Sequence, residues 1–113
     1  MRKLDLNDYT VKMKVPDKMN PGKEIEAELP YHVKDSILNV MFIPDLKLSS
    51  AELVKQNVLA MKIEASNGYA MIEDEEYQRI KTAFDTFKGF SRQDVELVER
   101  INNAEIVEVE STK

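Results

Sequence analysis

Apolar and polar residues alternate in two stretches near the start of the chain. In Tyr9–Val15 every second residue is apolar, and in Glu24–Tyr31 apolar residues alternate with glutamates. A period of two is typical of a strand with one buried face. The connection PDKMNPG has two prolines and a glycine, which are typical of turns. The pattern predicts an antiparallel hairpin with lysines on one strand opposite glutamates on the other.

From Val33 onward the apolar spacing becomes helical. It predicts a first helix that ends before Pro44, a central helix over Ser49–Gly68, a third from Glu73 to Gly89 and a fourth from Ser91 to about Asn102. Tyr69–Ile72 is apolar and short. It is compatible with either a brief strand or an extended linker that packs on the core. Glu105–Glu110, EIVEVE, is compatible with a short acidic strand.

The central helix has clear end signals. Ser49 and Glu52 have the spacing of a capping box, and Gly68 can take the left-handed conformation that ends a helix. One apolar stripe comprises Ala51, Val54, Val58, Met61 and Ala65, and a second comprises Leu59 and Ile63. Because two sides are apolar, we expect this to be the most buried helix, with Val58 in the core.

These elements predict an α+β fold: an N-terminal hairpin, about four helices around a central helix, and a short C-terminal strand. At 113 residues the chain is expected to form one compact domain over residues 1–113, with residues 111–113 frayed.

Composition narrows the function classes. The net charge is −5 and the sequence pI is about 4.9, which argues against direct binding of nucleic acid by phosphate neutralisation. Cysteine is absent, so disulfides and thiolate metal sites are excluded. The start MRKLDLND lacks the apolar run of a signal peptide, and no segment approaches transmembrane length. We therefore expect a cytoplasmic protein without membrane contact.

Candidate catalytic chemistry is sparse. His32 is the single histidine, and no nearby residue is an evident nucleophile. The acids of Glu73–Glu76 lack the spacing of a calcium loop and fit the positive end of a helix. The three glycines are isolated, so no phosphate-binding loop is present. The sequence predicts a protein that is not an enzyme and uses no cofactor or metal.

Protein contact is the better-supported class of function. A hairpin of two strands leaves backbone edges that invite pairing with another chain, and Met19 in its loop has no evident core role. The interaction candidates are Tyr9, Val11, Met13, Met19, Pro21, Tyr31 and Phe90. Phe90 follows the Gly89 break and is expected to project from the neighbouring aromatic residues. The expected partner is another protein or a second copy, in a homo-oligomer or larger assembly. The alternative is an acidic inhibitor that occupies the basic groove of a nucleic-acid-binding enzyme.

Three features resemble small accessory and assembly proteins of tailed bacteriophages: Pro30-Tyr31, Leu46-Lys47-Leu48 and the stretch DVELVERINNA at Asp94–Ala104. The similarity covers roughly residues 30–106 as a pattern of element lengths. It implies a non-catalytic binding or assembly role for a phage or other mobile element, in the host cytoplasm or the virion.

Overall fold

A computed structural model describes residues 1–107. The strands are β1 (Arg2–Asp5), β2 (Tyr9–Pro16), β3 (Glu24–Tyr31), β4 (Tyr69–Ile72) and β5 (Glu105–Ile106). The helices are α1 (Val33–Met41), α2 (Ser50–Ala65), α3 (Asp74–Thr86) and α4 (Val95–Asn102), with 3₁₀ turns at Pro44–Leu46 and Arg92–Asp94. The predicted α+β class, with a hairpin near the N-terminus, four helices and a short C-terminal strand, is confirmed within the described residues.

The described residues outside the β2–β3 hairpin form what we call the body of the protein. A small antiparallel sheet, in the order β4-β1-β5, closes one side of it. Strand β1 was not predicted, although its buried Leu4 alternates with charged neighbours and Leu6 follows in the core. It makes Tyr69–Ile72 a strand by pairing with it, Leu4 opposite Ala70. The predicted C-terminal strand is present only at Glu105–Ile106. Residues 108–110 of that prediction, and the expected fraying of residues 111–113, lie outside the described residues.

The helices supply the remainder of the core. Helix α1 packs against both α2 and α3, and α3 packs against α4. The larger side chains that are wholly buried are Leu4, Ile37, Met41, Leu59, Ile63, Ile72, Ile80, Leu97 and Ile101. Tyr77 connects α3 to α4, because its hydroxyl donates to the carbonyl of Ile101 at 2.6 Å. The core therefore lies between the small sheet and the inner faces of the helices.

Helix α2 buries a different face from the one predicted. Leu59 and Ile63 are in the core, whereas Val58 is 59% exposed. The whole first stripe lies outward: Ala51, Val54, Val58, Met61 and Ala65 are all exposed. The prediction that α2 is the most buried helix, with Val58 inside, is therefore wrong.

Polar contacts at the sides of α2 fix this rotation. Ser49 caps the helix by accepting from the amide of Glu52, as predicted. The Glu52 carboxylate does not complete a capping box but lies 2.5 Å from Arg79 of α3. The buried Gln56 donates to the carbonyl of Met41 at the end of α1. These partners lie on the side of Leu59 and Ile63, so the other apolar stripe faces away.

The hairpin formed by β2 and β3, which we call the ribbon, is a separate two-stranded sheet. None of its strand residues is buried. The buried face that the alternation in these two strands indicates is therefore absent within residues 1–107, because the helices pack on the other sheet. The Cα radius of gyration is 17.1 Å, compared with about 13 Å for a compact domain of this length. The longest dimension, 65 Å against 33 and 22 Å, is consistent with a ribbon that extends from the body.

Candidate protein-binding ribbon

One face of the ribbon is apolar along its length. Directly opposed pairs are Val11 with Leu29, Met13 with Ala27 and Val15 with Ile25. We call these six residues the ribbon face. Ile25 is 49% exposed and Leu29 is 38% exposed, and none of residues 1–107 buries the face. A two-stranded sheet of this kind is only marginally stable in water unless its apolar face is covered.

The opposite face of the ribbon is charged, and its register is as predicted. Lys12 lies opposite Glu28, and Lys14 lies opposite Glu26. Directly opposed charges of unlike sign favour this register. Since one strand presents lysines and the other glutamates, the two long edges of the ribbon have opposite charge.

A tyrosine pair at the root attaches the ribbon to the body. The rings of Tyr9 and Tyr31 are stacked with centroids 4.5 Å apart, and both pack against the core. The Tyr9 hydroxyl donates to the carbonyl of Gln93 at 2.9 Å, and the Tyr31 hydroxyl donates to the Asp94 carboxylate. Both acceptors belong to the turn that precedes α4. Two aromatic anchors with satisfied hydroxyls fix the direction in which the ribbon leaves the body.

The electrostatics of this pair keep both hydroxyls protonated. Burial raises the pKa of Tyr9. Burial and the hydrogen bond to Asp94 raise the pKa of Tyr31 above its ordinary value of 10.0. The Arg100 guanidinium lies 5.0 Å from the centre of the Tyr9 ring. Such a contact adds cation–π attraction at the base of the ribbon.

Asp8 makes a second attachment at the same root. Its carboxylate accepts from the amide of Val33 at 2.9 Å and lies 3.0 Å from His32 Nδ1. The hydrogen bond from Val33, followed by that from His32, lowers the pKa of Asp8. The carboxylate thus occupies the positive end of α1. Through this contact with Asp8, His32 contributes to the junction between β3 and α1.

The tip of the ribbon is an ordered turn. Asp17 accepts from the amide of Met19 and from the side chain of Asn20, each at 2.9 Å, and Gly22 has a φ of 86°. That conformation favours glycine. Met19 is 86% exposed, and Pro21 is exposed beside it. Their side chains are therefore available for contact about one ribbon length from the body.

An open groove joins the ribbon to α4. It has a volume of about 380 Å³ and is lined by Val11, Lys12, Arg92, Gln93, Val95, Glu96 and Glu99. Val95 is half exposed, so the apolar surface of the ribbon continues at the start of α4. Sequence reasoning missed Val95, and it missed Val15, Ile25, Ala27 and Leu29 as contact candidates. For the ribbon residues, the signal was the same alternation that predicted the strands.

The seven interaction candidates are thus divided among three places. Tyr9 and Tyr31 form the root, while Val11 and Met13 belong to the ribbon face, and Met19 and Pro21 lie at the tip. Phe90 lies elsewhere: it is half-buried and packs on Phe84 and Phe87 at centroid distances of 5.4 and 4.7 Å. The expectation that Phe90 projects from its aromatic neighbours is wrong, because its ring packs on both of them and against the core.

Residues 1–107 contain no cluster of three or more metal-ligating side chains. The acids at the start of α3 act as caps, with the Glu76 carboxylate accepting from the amide of Glu73 at 2.8 Å. No helix in the same range has the length and apolar character needed to cross a bilayer.

Comparison with known proteins finds no matching family model, no matching curated protein and no matching solved structure.

Proposed function

We propose that the protein is a non-catalytic interaction or assembly module that binds a protein chain through the ribbon. The observation that supports this most strongly is the exposed ribbon face, attached to the body by the Tyr9–Tyr31 root. A surface held in a fixed direction loses little conformational freedom on binding. The resemblance to assembly proteins of tailed phages points to the same class of function and stays a prediction.

The size of the ribbon face restricts the partner. Complete burial of a Val, Leu, Ile or Met side chain contributes about 1.5–3 kcal/mol. Because these side chains are already partly covered, a partner gains on the order of 5 kcal/mol from the whole face. Association itself costs about 4–15 kcal/mol. The partner must therefore contribute a comparable apolar surface of its own.

The edges of the ribbon provide specificity. Within the described chain neither outer edge pairs with a further strand. Charged edges discourage indiscriminate pairing, and their opposite signs favour a partner whose charge is arranged in the complementary sense. Lys12 and Glu28 mark the two signs.

The acidic inhibitor is the second candidate, and the charge distribution supports it less. Several acids have a cation as neighbour: Glu52 lies 2.5 Å from Arg79, Glu76 lies 2.8 Å from Lys62, and Glu96 lies 2.6 Å from Arg100. An inhibitor of a basic groove needs acids that remain free on one face. Pairing of this kind reduces the field that such a face presents.

Sedimentation velocity over a wide concentration range tests the proposal. We expect the mass of the wild-type chain to rise with concentration. Met13→Asp should weaken this association at least tenfold, since it places a charge on the ribbon face. Thr10→Asp is the matched control, because Thr10 is exposed on the opposite face, and it should associate as the wild type does.

The response to salt separates the two functions. Apolar association of chains with a net charge of −5 should strengthen as salt screens their repulsion. Binding of an acidic inhibitor to a basic groove should weaken. A strictly monomeric chain whose ribbon amides exchange at the same rate at all concentrations would overturn the assembly proposal.

A further inference from the structure

A second apolar surface is exposed on the same chain. The outward stripe of α2, which we call the α2 stripe, comprises Ala51, Val54, Val58, Met61 and Ala65. Val54, Val58 and Met61 are each about 60% exposed. Their intervals alternate between three and four residues, the spacing of a helix that packs along another element. Within residues 1–107, nothing buries this stripe.

The ribbon face and the α2 stripe match in length. The large side chains of the ribbon face extend from Val11 to Val15 on β2, about 14 Å at the rise of a strand. The large side chains of the α2 stripe extend from Val54 to Met61, about 10 Å at the rise of a helix. A helix laid along the ribbon would therefore have its apolar row covered over its whole length.

Charge also favours this pairing. The helical periodicity places Lys55 and Lys62 along one margin of the α2 stripe and Glu64 along the other, although Lys62 also contacts Glu76 at 2.8 Å. The charged side chains of the ribbon strands project from its opposite face, so neither margin of the α2 stripe meets a charge of its own sign on the ribbon face. An antiparallel pairing of α2 with α2 of another copy would instead bring the lysine margins together, and like charges across an interface are unfavourable.

We propose that the ribbon face of one copy packs on the α2 stripe of a second copy. This inference rests on the proposed function, since the ribbon is the binding surface, and it names the partner and the surface on that partner. The contact is heterologous: in a pair, the copy that contributes its ribbon keeps a free stripe, and the other copy keeps a free ribbon face. The α2 stripe meets the requirement that the partner contribute an apolar surface comparable with the ribbon face.

A mixing experiment tests the pairing. Val58→Asp disables the stripe and Met13→Asp disables the ribbon face; Asn39→Asp on α1 and Thr10→Asp are controls at exposed positions off the two surfaces. Circular dichroism establishes that each variant is folded. Each disabling variant alone should associate at least tenfold more weakly than the wild type. An equimolar mixture should form a heterodimer and stop there, because it contains one intact ribbon and one intact stripe per pair.

Each other result identifies what has failed. If Val58→Asp associates like the wild type and Met13→Asp does not, the ribbon binds another surface: the proposed function survives and this inference falls. If Met13→Asp associates like the wild type, the ribbon is not the binding surface and both fall. If both variants are monomeric and their mixture stays monomeric, the ribbon face and α2 stripe do not pair with each other. A wild-type chain that is monomeric throughout overturns this inference, and the ribbon of the proposed function must then bind a different protein chain.

Discussion

Replacing Ile63 with alanine should destabilise the protein far more than replacing Val58 with alanine, although both residues lie on α2. Ile63 is fully buried, whereas Val58 is 59% exposed. Truncation of a buried isoleucine to alanine costs about 2–5 kcal/mol, because apolar area is lost and a cavity remains. Truncation at an exposed position loses little buried apolar area and leaves no cavity. The higher helix propensity of alanine offsets part of the small loss at Val58.

The expected magnitudes are well separated. For Ile63→Ala we expect the free energy of unfolding to fall by about 3 kcal/mol. In a domain of this size each kcal/mol corresponds to roughly 3–5 °C in Tm, so its Tm should fall by roughly 10 °C. For Val58→Ala the change should stay within about 0.5 kcal/mol.

Urea and thermal unfolding followed by far-UV circular dichroism measure both variants. The protein concentration should be low, so that any association through the α2 stripe does not add to the apparent stability. If Val58→Ala were the more damaging change, α2 would be rotated relative to the structure described above. Similar losses at both positions would mean that both seams of the helix are buried.

Two further predictions concern the ribbon. Tyr31→Phe should make the free energy of unfolding less dependent on pH in the alkaline range. Because the pKa of Tyr31 is raised in the folded protein, its contribution to stability is full below pH 10.0 and is lost as the pH rises through the raised value. Denaturation of both proteins at pH 8 and pH 11 measures the difference. Lys14→Glu places two like charges opposite each other at Glu26 and should speed amide exchange in the ribbon roughly two- to five-fold. The double exchange of Lys14→Glu with Glu26→Lys should return the rate towards that of the wild type, whereas no recovery would mean that the opposed charges do not interact.

Local signals allowed several elements to be predicted from the sequence. Ser91 and Asp94 form a capping box at the turn before α4. Gly68 has the expected positive φ of 77°, although α2 ends earlier, at Ala65. Glu96 and Arg100 form the expected pair at 2.6 Å. Each of these features depends on residues a few positions apart, so the chain specifies them without reference to the rest of the fold.

The failures concern contacts between distant segments. Helix α2 has two apolar seams, and the choice between them depends on Arg79 and Met41, which belong to other helices. Strand β1 is short, and its partner β4 lies more than sixty residues away. The ribbon alternates in the same way whether or not something covers its apolar face. The alternation therefore predicted the strands, but it did not determine what covers their apolar face.

The wrong predictions about α2 and about the ribbon share one physical cause. In both places the sequence has apolar residues at regular spacing, as a core element has, but residues 1–107 form one core and other side chains already fill it. Leu59 and Ile63 take the inner side of α2, and the small sheet takes the inner faces of the helices. The ribbon face and the α2 stripe are then apolar surfaces in excess of what one chain can bury. The proposed contact between copies would remove a ribbon face and an α2 stripe from water at once. Because that contact is heterologous, a dimer would still expose one surface of each kind, and growth would continue until a ring closes or until the accumulated negative charge opposes further addition.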